Sequence, residues 1–211
     1  FSHCDEIPEF SEDQIKNYIE IDDEIDDETL SIVEKYALED FAHLHLHDEY
    51  SLRDGLSTAK QRADLMMDRG WTYLTATNHG SLGGWVKQYV LAKKLGMKAI
   101  FGIEAYVNKY RNLPRESYKE MDVDMKKKYR RNNHQILLAK NLEGYYNIIK
   151  IQNDAELNGF YYVPRTDPDY MSKHGKGIIA TSTDGGAGEI PTILNDETIP
   201  WDERLDQAKE G

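Results

Sequence analysis

The chain has 211 residues, 39% hydrophobic and 30% charged; this is a globular composition, long enough for one domain with a core plus an arm, and no stretch approaches the ~18 apolar residues of a membrane span. A single cysteine, Cys4, leaves no intrachain disulfide and no thiolate zinc cluster, which fits a reducing, cytoplasmic setting. The net charge of −12 is segregated: residues 1–40 hold 15 of the 38 acidic side chains and 2 of the 26 basic ones, so the total does not exclude an anionic ligand for the near-neutral body.

In chain order, Ser11-Glu12-Asp13-Gln14 reads as a capping box opening a short helix through Tyr18. An acidic run from Asp22 to Glu28 follows, then Leu30, Val33, Tyr36 and Ala37 at helical spacing. Residues 1–40 are therefore expected to be an acidic N-terminal extension, either a solvated arm or a strap over a basic surface. The first residue, Phe1, fits a chain that begins inside a longer protein, and no apolar leader with a cleavage site is seen. From 41 to 211 the pattern alternates. Strands are expected over Phe41–His47, Tyr73–Thr77, Ala99–Val107, Gln135–Ala139 and Gly177–Ser182, and helices over Thr58–Arg69, Trp85–Leu95 and Leu142–Leu157. Gly70 and Gly96 would end the first two helices and Asn141 would cap the third. This order predicts an α/β domain on a parallel sheet, open or closed into a barrel. Segment 111–131 interrupts it with the basic stretch Lys126-Lys127-Lys128-Tyr129-Arg130-Arg131, either a solvated face or a phosphate contact.

Five of the seven histidines fall at the ends of these strands. His43, His45 and His47 alternate, and residues two apart in a strand share a face, so their imidazoles are expected to project together. His79 ends the second strand, Glu104 sits in an apolar third strand, His134 opens the fourth and Asp184 follows the fifth; Asp54 lies in the loop after the first. A carboxylate within an apolar run is costly to bury unless it is paired or ligates a cation. Sites in parallel α/β folds gather at C-terminal strand ends, which suits all of these residues except His134. Jointly they predict a mixed nitrogen–oxygen site for two or three divalent ions, manganese or zinc first, with magnesium or iron as alternatives. His3 and His174 fall outside the pattern, His174 at an expected helix end.

The residues His43-Leu44-His45-Leu46-His47, with Glu49-Tyr50-Ser51 and Asp54-Gly55-Leu56, resemble the first motif of PHP (polymerase and histidinol phosphatase) domains, in the form found in DNA polymerase III alpha subunits. The resemblance continues through Thr77-Asn78-His79-Gly80, Gly102-Ile103-Glu104-Ala105-Tyr106, His134–Lys140 and Gly159-Phe160-Tyr161-Tyr162 with Pro164-Arg165. It implies a distorted TIM-like (β/α)7 barrel, incomplete at the C-terminus, with a metal site at its mouth. Residue by residue, the implied ligands are His45, His47, Asp54, His79, Glu104, His134 and Asp184, with His45, His47, Glu104 and His134 central to any catalysis and His43 behind them. The implied activity is metal-dependent phosphoester hydrolysis or 3′-end proofreading within a replicative polymerase. Lys and Arg of 109–131, or Arg165, would meet the phosphate. The implied partners are DNA, a proofreading exonuclease subunit and sliding-clamp machinery.

Three departures stand out. Asn78 occupies a position where the family usually has Asp, Asp184 one where polymerases commonly have Cys or His, and the late Asp-x-His motif is absent. Asp184 can still ligate, with a preference shifted toward harder cations, whereas Asn78 and the absent motif favour a competing expectation, a catalytically silent scaffold that binds replication partners. A free-standing phosphatase is a third, and the Gly159–Arg165 stretch argues against it.

Overall fold

The computed structural model describes residues 41–52 and 54–210; the expected acidic extension and its Ser11 cap lie outside them. The elements are α1 (Ala59–Asp68), β1 (Tyr73–His79), α2 (Trp85–Leu95), β2 (Lys98–Val107), a 3-10 turn (Arg115–Lys119), α3 (Val123–Arg130), β3 (Asn133–Ala139), α4 (Leu142–Leu157), β4 (Arg165–Thr166), α5 (Pro168–Lys173), β5 (Ile178–Ser182), α6 (Glu189–Leu194) and α7 (Trp201–Glu210).

Local chemistry sets the helix ends. Thr58 caps α1 in a reciprocal capping box with Gln61, and the Asn141 side chain accepts from Gly144 N at the start of α4. Gly70 and Gly96 follow α1 and α2 with positive φ, as expected of helix-ending glycines.

The described strands form one five-stranded mixed sheet rather than the expected parallel one, in the order β1-β2-β3-β5, with β4 extending the β1 side of β2. β1 and β2 run parallel, from Tyr73↔Lys98 to His79↔Glu104. β3 runs antiparallel to β2, pairing Tyr106 with His134, and β5 is antiparallel to β3. The reversal is made by residues 108–132, where Asn108 Nδ2 donates to the Tyr129 and Arg131 carbonyls and closes the segment back on itself. It also resolves the odd position of His134. Because β3 points the other way, its start lies beside the C-terminal end of β2.

The expected strand over Phe41–His47 does not form. Leu46 O accepts from Thr77 N, but Leu46 N donates to the Thr77 hydroxyl and Asp48 N to the Asn78 side chain. Side chains of β1 thus take the amides that a ladder would have used, and the segment is pinned along β1 as an extended loop.

Alternation along β2 separates core from site. Ile103 and Ala105 pack with Trp85, Leu137, Ile148 and Ile151 under α2 and α4, while Leu74 joins Ala63, Met66, Ala92 and Met97 under α1 and α2. Each fully buried aliphatic side chain here stabilises by roughly 1.5–3 kcal/mol. The opposite face carries Glu104 and Tyr106, with His79 and His134 as their neighbours in register. α4 lies very close to the turn before β5: a Cβ on Gly144 would sit 1.7 Å from Gly177 O.

Candidate metal centre

Glu104 is the hub. Its side chain is 1% exposed, and four imidazoles converge on its carboxylate. Oε2 lies 3.1 Å from His45 Nε2, 2.9 Å from His47 Nε2 and 3.4 Å from His79 Nδ1, while Oε1 lies 3.0 Å from His134 Nδ1. Burial opposes ionisation of Glu104. Hydrogen bonds from His134 and His47 and the nearby charge of His79 and His45 outweigh it and hold the carboxyl well below the usual range. Burial lowers the His79 pKa, as do its neighbours His47 and His134, although Glu104 and Asp54 pull the other way. His79 is therefore neutral near pH 7 and available as a ligand.

Asp54 reaches the rim, with Oδ2 3.3 Å from His79 Nε2. Asp184 lines the same open cleft of about 470 Å³. One of its oxygens accepts from Gly186 N at 2.6 Å and Ala187 N at 2.8 Å, and those two bonds lower its pKa. The structure thus brings together all seven expected residues. It does not bring His43 with them: His43 packs edge-on against Phe41, 4.9 Å away, and against Trp71. Without a regular strand, the alternation that was to align it with His45 and His47 is lost. Arg165, expected as a phosphate contact, is 2% exposed, and its guanidinium donates to the Gly159 and Tyr129 carbonyls. It is a structural residue.

Ser51, Asp48 and Arg62, which the sequence reading left without a role, act with Asn78 to fix the candidate ligands. The Ser51 hydroxyl donates to Asn78 Oδ1 at 3.0 Å and accepts from His79 N at 2.9 Å. With its one proton committed, Ser51 can only accept from His47 Nδ1, 3.1 Å away. Nδ1 therefore keeps its proton, and it is Nε2, which faces Glu104 at 2.9 Å, that would give up its proton to a cation. Asn78 Nδ2 in turn donates to Asp48 Oδ1 at 2.8 Å, and Asp48 Oδ2 pairs with Arg62 Nη2 at 2.9 Å. The signal was present in the first motif, where Ser51 stands four residues after His47. Tyr106 packs against two of the imidazoles, its ring 5.0 Å from His134 and 5.6 Å from His79; burial first, then Glu104 and Asp54, raise its pKa.

The donor set fits a cation. His45, His47 and Glu104 form one trio, and His79, Glu104 and His134 a second, with the ligand atoms of each within 4.8 Å of one another. Tetrahedral ligation at ~2.1 Å spaces donor atoms about 3.4 Å apart, close to the 2.9–3.1 Å within the first trio. His79 Nδ1 is buried without a hydrogen-bond partner, and the His45 and His47 Nε2 atoms face each other at 3.1 Å.

A family model described as the PHP domain matches residues 43–210. The chain belongs to the PHP domain family. This PHP chain is 40% identical over 154 residues to the DNA polymerase III subunit alpha of Borreliella burgdorferi, covering 73% of this chain and 13% of that relative. It is 39% identical over 142 residues to the protein of the same name from Helicobacter pylori strain 26695, covering 67% and 11%. It is 37% identical over 176 residues to the one from Thermus aquaticus, covering 79% and 13%. The chain thus spans only 11–13% of the length of these relatives. No helix among the described residues is long and apolar enough to cross a membrane.

Proposed function

We propose that this PHP domain is a metal-dependent phosphoesterase of the 3′-5′ exonuclease type, carried within a cytoplasmic DNA polymerase III alpha-like chain that acts on DNA beside a proofreading subunit and the clamp machinery. One observation carries the reading: two ligand trios share the buried Glu104 at the mouth of an open cleft. His45, His47 and Glu104 would hold one divalent cation, and His79, Glu104 and His134 a second, with Asp54 and Asp184 completing the shells. Manganese or zinc suits imidazole mixed with carboxylate, with magnesium or iron as alternatives. Cations there would lower the pKa of a coordinated water toward ~7 and offset charge on the phosphate. The chain's own residues supply orientation. Ser51 holds the His47 tautomer, Glu104 spaces four rings, and the Tyr106 ring packs against those of His79 and His134. Hydrolysis consumes one water and breaks one P–O ester bond, the leaving oxygen taking up a proton. Further strands beside the described sheet would close the seven-stranded barrel.

The test is metal content of the purified chain by elemental analysis after dialysis against manganese and zinc separately, followed by hydrolysis of a small phosphodiester and of DNA 3′ ends. Two metals per chain, lost together with hydrolysis in a His45→Ala/His47→Ala variant, are expected. Metal without hydrolysis of either substrate would sink the enzymatic reading and leave the scaffold.

A further inference from the structure

Residues 160–163 form a tight turn beside the metal centre. Tyr161 N donates to Val163 O at 3.0 Å, and between them Tyr162 has φ +61° with 84% of its surface exposed. A bulky side chain at positive φ is a backbone outlier that Gly or Asn would relieve, and one so exposed contributes little to the core. The turn is nevertheless held firmly. The Tyr161 ring meets two guanidinium groups, Arg165 at 4.9 Å and Arg115 at 5.6 Å, and Arg115 also donates to the Phe160 carbonyl. Phe160 is itself 48% exposed. The structure therefore spends a strained position on a rigidly mounted aromatic ring facing water.

Its place gives it a use. Two residues on, at most about 7 Å of chain, Pro164 packs on Gly80. A Cβ at Gly80 would meet Pro164 Cγ at 2.9 Å and the Tyr106 ring at 3.1 Å. Gly80 follows His79, on which Tyr106 stacks. Behind the turn, Tyr161 packs on the buried Tyr129 at 5.3 Å and Tyr129 on the half-buried Tyr118 at 5.7 Å, over which Lys126 sits. Exposed aromatic faces beside interleaved cations are what a single-stranded nucleic acid requires: rings for bases, ammonium and guanidinium groups for phosphates.

We propose that Tyr162, supported by Phe160, is a base-stacking platform for the single-stranded end of a nucleic acid, with Arg115 and Lys126 marking the path of its phosphates. This rests on the hydrolytic reading for the fate of the strand and stands apart from it for binding. The platform would accept any base, since every base has a π-face.

The experiment is fluorescence anisotropy of a labelled oligothymidylate with the full chain. It compares wild type, Tyr162→Gly, which removes the ring while suiting the backbone, and Tyr162→Trp, which keeps an aromatic face. Affinity is expected to fall roughly tenfold in Tyr162→Gly and to stay within about twofold in Tyr162→Trp. An oligonucleotide with an abasic terminus should lose as much with wild type and lose little more with the glycine variant. Equal binding by wild type and Tyr162→Gly, or no binding by wild type, would overturn the platform. Small-diester hydrolysis by the wild type judges the hydrolytic reading separately, without reference to Tyr162.

Discussion

Asn78 looked like a loss, because an amide polarises its neighbours less than the Asp expected of the family. In the folded chain it lies 2.8 Å from the Asp48 carboxylate, which is 1% exposed and paired with buried Arg62. The carboxylate is present, displaced onto the residue after His47, and Asn78 relays it to Ser51. Asn78→Asp should therefore not improve the site. It would press two carboxylates together in a buried place, and one of them would have to take a proton. Asp48→Asn would leave the Arg62 charge without its counter-ion, at a cost of about 3 kcal/mol. The paired exchange Asp48→Asn/Asn78→Asp restores one carboxylate and one amide. Chemical unfolding of the four proteins should show it more stable than the sum of the single losses predicts, whereas simple additivity would mean the two side chains are uncoupled. Ser51→Ala should fold normally and weaken metal affinity 10–100-fold, since it releases the His47 tautomer; titration calorimetry with manganese reads this directly.

The register of β2 against β1 and β3 places the candidate ligands, and the close approach of α4 to Gly177 fixes how β5 enters. Gly144→Ala should cost roughly 1–3 kcal/mol through the backbone clash with Gly177, visible as a lower urea midpoint. α1, α2 and α4 were legible to within a residue because Thr58, Gly96 and Asn141 write their caps locally. The direction of β3 was not, because nothing in Gln135–Ala139 says which way a neighbouring strand runs. That depends on Asn108 closing the 108–132 connection. The His43–His47 segment alternates like a strand, yet its amides go to Thr77 and Asn78, a tertiary choice that periodicity cannot show. The seven residues gathered at the cleft could be named from sequence because each is a costly polar group at a strand end or rim, but the buried relay behind them needed coordinates.

At the scale of the whole domain, Arg111 ties three distant segments. It pairs with Asp154 of α4 and Asp167 before α5, and donates to the Arg165 carbonyl. Asp167 is buried, which raises its pKa, but the Tyr170 amide, Arg111 and Asn112 together lower it below the ordinary value. A depressed carboxylate contributes stability that is present above its unfolded pKa of ~3.9 and is lost as pH falls through the folded value. Asp167→Asn should thus be less stable than wild type by about 3 kcal/mol at pH 7, with the gap closing below about pH 4; urea melts across that range would show it, and a constant gap would count against the linkage. The spread of the candidate ligands along the chain has a mechanical consequence. His45 and Glu104 are 59 residues apart, and Glu104 and His134 another 30. Two cations sharing Glu104, one on His45 and His47 and one on His79 and His134, would act as a removable cross-link across two long loops, restraining the unfolded chain much as a disulfide does. Chelation would then set how long the fold survives: in a chaser of EDTA the chain should unfold faster, at unchanged denaturant, than with its metal in place.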